Sequence, residues 1–146
     1  MTRLFCLIAS VLLLPLFAFA AETGFICIAD AATGFTYEKS TNTWRDSSFK
    51  ADGKYVLTKS QQSGIRWHVK QVGSDFPIAF CDSDFTETGA ISCRGILHDF
   101  RMNKNNRRFL LVYPVGYWTD KNPKVEKTFQ EGKNEPFMEI GKCSSM

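Results

Sequence analysis

His68 and His98 are the only imidazoles in the chain, so a general base, metal ligand or pH switch of that type must use one of them. Neither sits at a spacing that serves a reaction. His68 alternates with Trp67 and Val69 and falls on the polar side of an extended run, while His98 and Asp99, as strand neighbours, point to opposite faces and form no relay. The chain has no G-x-S-x-G elbow, no Walker loop and no dinucleotide fingerprint. Asp82, Asp84 and Glu87 crowd one turn, which does not provide the two distinct carboxylate environments that glycoside hydrolysis needs. Thr86 and the residue after it also break a calcium-loop pattern. The expectation is therefore no enzyme, no metal and no cofactor, with a hydrolase built on His68 or His98 as the remote alternative.

The concentrated charge lies elsewhere. Arg101, Lys104, Arg107 and Arg108 are interrupted only by apolar Met102 and by Asn103, Asn105 and Asn106, in a stretch that reads as a hairpin tip. Guanidinium groups grip carboxylates and phosphates bidentately, which makes these four the candidate binding residues. The competing account is a soluble turn whose cations discourage edge aggregation. No aromatic residue interleaves with them as a single-strand nucleic-acid platform requires, so nucleic acid is disfavoured as a partner. Trp44, Trp67, Tyr113, Tyr117 and Trp118 suit either a ligand cavity or an ordinary core.

The N-terminus indicates the compartment. After Met-Thr-Arg comes an apolar run from Leu4 to Phe17, then Ala18-Phe19-Ala20 and Ala21, the pattern of a secretory signal peptide cut after Ala20. Residues 1–20 are thus expected to be the signal and 21–146 a single domain. Removing Arg3 lowers the formal charge from +3 to +2, too little for strong steering toward polyanions. No later segment is apolar enough to span a membrane, and the cleavage site carries no cysteine for a lipid.

Cys6 leaves with the signal, and Cys27, Cys81, Cys93 and Cys143 enter an oxidising compartment as an even set, so two disulfides are expected. The spacings match no zinc site. β-like runs flank Asp82 to Gly89, and a hairpin centred there sets Cys81 opposite Cys93, which leaves Cys27 to join Cys143.

Extended elements must position all these groups. Ile65, Trp67 and Val69 alternate with Arg66, His68 and Lys70, the period of a half-buried strand, and Tyr55 and Leu57 read as its partner. Asp52-Gly53 reads as a tight turn. Further strands are expected at Pro77 to Cys81, Ala90 to Ile96, around Phe100 and Met102, at Phe109 to Tyr113 and at Pro136 to Lys142. Pro114 ends one of them. The loop Thr119 to Glu135 holds at most a helical turn at Val125 to Gln130. The expected fold is all-β, a single antiparallel β-barrel or β-sandwich of about eight to ten short strands stapled by disulfides.

Gly34-Phe35, Tyr37, Lys39, Thr41, Trp44, Phe49 and Tyr55, with Arg108-Phe109, Gly116-Tyr117 and Glu139-Ile140-Gly141-Lys142-Cys143, form a pattern that resembles small exported proteins of proteobacteria without assigned activity. The resemblance implies a periplasmic or secreted setting and supplies no functional residue. The expected function is that of a non-enzymatic exported binding module for a macromolecule in the envelope or outside the cell. A carrier of a small apolar ligand in the barrel is the alternative.

Overall fold

The computed structural model describes residues 23–117, 132 and 134–146. The signal segment, Trp118 and the span Val125 to Gln130 lie outside the described residues. Nine strands follow in order: β1 (Gly24–Glu38), β2 (Thr43–Phe49), β3 (Lys54–Lys59), β4 (Trp67–Gln71), β5 (Pro77–Cys81), β6 (Ala90–Arg94), β7 (Asp99–Asn103), β8 (Arg108–Tyr113) and β9 (Phe137–Ser145). Among the described residues there is no helix.

Each strand pairs antiparallel with its neighbour, and β9 returns to β1 along Phe25–Gly34, so β1 and β3–β9 close an eight-stranded barrel with β2 as an extra strand. Period-2 alternation explains the closure. Phe25 and Cys27, Tyr55 and Leu57, Trp67 and Val69, Phe100 and Met102, and Phe109 and Leu111 turn inward and are buried. Phe100 and Phe109 stack, and Tyr55 meets both edge-on. Large side chains therefore fill the interior, as expected of a barrel of this strand number.

Two seams of the barrel carry the disulfides. Cys27 faces Cys143 where the first strand meets the last, with Cα atoms 3.9 Å apart. Cys81 is bonded to Cys93, Cα atoms 4.1 Å apart, across β5 and β6, whose ladder has the single pair Phe80↔Arg94. The pairing expected from the sequence is the one observed. Each bond sits where the sheet has either the longest loop to close or the fewest ladder bonds.

Asp52-Gly53 departs from expectation. Instead of turning a hairpin, residues 50–53 join β2 to β3 along the same edge of β1, with β2 on Ala32–Glu38 and β3 on Gly24–Ile28. The Ala29 N–H donates to the Gly53 carbonyl at 2.9 Å. Glycine is needed for space and not for positive φ: a Cβ at Gly53 would run into the Glu139 carboxylate and the Tyr55 hydroxyl. On the opposite edge, a bulge at Asp30 shifts the register between Ala29 and Ala31. Beyond it Ala32 and Gly34 face inward, opposite Glu139 and Phe137, while Phe35 faces outward.

Candidate functional site

The β7–β8 tip is built by its asparagines. Asn103 Oδ1 accepts from the Asn105 N–H at 2.9 Å, and Asn106 Oδ1 accepts from the Arg108 N–H at 3.0 Å. The Asn103 and Asn105 amides both donate to the Thr88 carbonyl, at 3.1 and 3.0 Å, tying the tip to the 82–89 loop. The residues that interrupt the cations in sequence therefore hold the turn.

This turn divides the four predicted binding residues into two pairs. Arg101 lies on the outer face of β7 opposite Leu110, and Arg108 opens β8 opposite Asn103; both are exposed and neither is ion-paired among the described residues. They line an outward-facing recess of about 560 Å³ together with Ser92, Thr86, Asn103 and Asn106, and none of the described residues lining it is acidic. Guanidinium, amide and hydroxyl donors around one depression can bind a carboxylate or a phosphate.

Lys104 and Arg107 turn toward the barrel end. Lys104 Nζ lies 5.5 Å from the centre of the Phe85 ring, and the Arg107 guanidinium carbon lies 5.7 Å from that of the buried Phe25. Arg107 also donates to Ser145 Oγ at 2.5 Å, and its backbone takes the left-handed conformation with φ 58°. Its carbonyl accepts from Cys143 N–H at 2.8 Å. Arg107 thus anchors the turn to the first and last strands. The aromatic partners of these two cations come from distant chain positions, which is why the local sequence showed none.

The other candidates resolve into structural roles. His68 lies outward on β4 opposite Thr58, with Nε2 3.1 Å from Thr58 Oγ1. Burial, then the nearby Lys70, holds its pKa below the usual range. His98 packs against the Tyr113 ring at 5.1 Å, and burial lowers its pKa too. Asp84 accepts from Trp67 Nε1 at 2.8 Å and Arg66 Nε at 3.1 Å, and these hydrogen bonds pin the 82–89 loop over the barrel end. The Trp67 bond is the chief cause of its lowered pKa, with Arg66 assisting. Among the described residues no group of three His, Cys, Asp or Glu side chains is placed to hold a metal ion.

A pH prediction follows from the histidines. A histidine whose folded pKa is depressed contributes stability that is complete above its unfolded value near 6.5 and is lost as pH falls below it. Denaturation midpoints should therefore drop as pH falls below about 6.5, and His98→Gln should flatten that drop. An unchanged acid limb in this variant would show that His98 is not its source.

Two features escaped the sequence reading. Glu139 is buried inside the barrel, its carboxylate accepting a 2.5 Å hydrogen bond from the Tyr55 hydroxyl. On the outside, the faces of β8, β9 and the paired length of β1 carry Leu110, Val112, Met138, Ile140 and Ile28 where a solvated barrel has polar residues. No family model, curated protein or solved structure matches this chain.

Proposed function

We propose that the chain is an exported, non-enzymatic binding domain that holds an anionic group of a macromolecule in the cell envelope or outside the cell, in the recess between Arg101 and Arg108. The observation that carries this reading is two exposed guanidiniums, without an ion pair among the described residues, on a recess whose described lining includes amide and hydroxyl donors and no acidic residue. Two disulfides support an oxidising compartment, periplasmic or extracellular. A rigid closed barrel holds the donors in place before binding, which reduces the ordering cost. The carrier alternative draws no support from the barrel interior, which Phe25, Leu57, Val69, Phe100 and Leu111 occupy.

The test is an NMR titration with inorganic phosphate and with acetate. Shifts should concentrate on Arg101, Arg108 and Asn106, and Arg101→Ser/Arg108→Ser should abolish them. Each charged hydrogen bond is worth about 1.5–3 kcal/mol, so even one arginine matters roughly tenfold. Lys104→Ser is the control, because Arg107 is tied to the fold. Shifts spread evenly over all surface cations would defeat the assignment.

A further inference from the structure

We propose that the outer wall of β8, β9 and β1 docks on an anionic lipid bilayer. The inference shares Arg108 with the recess proposed above but rests on a different surface, and it names a partner class for that face.

The outward positions of β4 are His68 and Lys70, as solvation demands. Beyond Arg108 and Lys142, those of β8 and β9 are apolar: Leu110 lies opposite Ile140, and Val112 opposite Met138. Ile140 is 52% exposed and Met138 45%, neighbours on the outward face of β9, while Ile28, 49% exposed, lies opposite Lys142 and diagonal to Ile140. Contiguous apolar exposure of this kind marks a contact surface, whereas scattered exposed residues do not.

Charge defines one end of the wall. Arg108 lies directly opposite Lys142, and Lys142 is separated from Lys54 only by Ile28. Like charges paired across strands are unfavourable, and among the described residues no ion pair relieves them. Asp30 is the one acidic residue lining the recess of about 390 Å³ beside Arg108 and Lys142, so the rim stays cationic. At the far end Phe35, Trp44 and Tyr117, with Pro114 and Pro136, line a second recess of about 510 Å³. Aromatic rings with a polar edge favour the level of lipid headgroups.

Area and topology select lipid over protein. Three strands about 4.8 Å apart and six residues at about 3.3 Å each give a face of roughly 300 Å², well below the ~800 Å² per partner of a stable protein interface. Every strand of the wall is already paired on both sides, so no peptide can add to it as a further strand. An aliphatic face with a basic rim matches acyl chains beneath anionic headgroups.

Cosedimentation of the full chain with vesicles of phosphatidylglycerol and phosphatidylcholine, against phosphatidylcholine alone, tests this. Binding should require the anionic lipid and weaken with salt. Met138→Ser/Ile140→Ser should weaken it at least tenfold, and Lys142→Ser about fivefold. These outward substitutions leave the core intact, which circular dichroism verifies. Met138→Ser/Ile140→Ser should weaken vesicle binding while leaving the phosphate shifts at Arg101 intact, and Arg101→Ser should impair phosphate binding while the vesicle binding that remains still depends on Met138 and Ile140, so the two readings fail separately. No binding to either vesicle, undiminished binding of the wall variant, or a protein or second copy found covering Ile140 would overturn the proposal.

Discussion

Replacing Cys27 and Cys143 together by alanine is expected to lower stability by about 5 kcal/mol, against about 3 kcal/mol for the Cys81/Cys93 pair. The difference comes from the loops: the first bond closes 116 residues of separation and the second 12, so the unfolded chain gains more freedom when the first is lost. A loss of that size is comparable with the whole net stability of a domain, so the Cys27→Ala/Cys143→Ala protein should be largely unfolded at 37 °C. Loss of the other bond should act locally. With one ladder pair left between β5 and β6, amide exchange in those strands should accelerate while β1, β8 and β9 stay protected. Urea denaturation of both double variants, with exchange measured in the second, decides the matter. Equal losses would mean that the seam and not the loop sets the cost.

Much of this architecture was legible because one rule governs it. Strict alternation around Trp67 and Val69 identified a half-buried strand, and a hairpin centred on Asp82 to Gly89 set Cys81 opposite Cys93. Gly53 shows where the rule stops. Its sequence context signals a turn, but its role is to make room for Glu139, which lies far along the chain and becomes its neighbour only when the barrel closes. The cation cluster fails for a related reason. Four positions close in sequence need not share a face, and here the left-handed Arg107 directs one pair toward Phe25 and Phe85 and leaves the other outside. The outer wall had a visible signal, the unbroken run Phe109-Leu-Leu-Val-Tyr113, since a strand without alternation has two apolar faces. The sequence alone offered no way to say what covers the second face.

Tyr55→Phe is expected to cost about 1.5–3 kcal/mol near neutral pH, because it removes the hydroxyl from a buried carboxylate and adds no donor in its place. Glu139 has little alternative: it lies inside the barrel beside Gly53, and no cation lies within ion-pair distance among the described residues. Burial, then the Glu139 hydrogen bond and charge, pushes the Tyr55 pKa far above its ordinary value of 10.0. The neutral phenol is therefore favoured by folding. Its contribution is complete below the unfolded value and is lost as pH rises beyond about 10, at up to ~1.4 kcal/mol per unit. Denaturation measured at pH 7, 9, 10 and 11 should show wild type losing stability in the last interval by more than Tyr55→Phe does, so that the two converge. The lysines, whose deprotonation acts equally on both proteins, cancel in that difference. Glu139→Gln separates hydrogen bonding from charge, since the amide oxygen still accepts from Tyr55 without the electrostatic contribution; it should keep most of the neutral-pH stability and shorten the alkaline limb. A Tyr55→Phe protein as stable as wild type at pH 7 would mean that Glu139 does not depend on this hydroxyl.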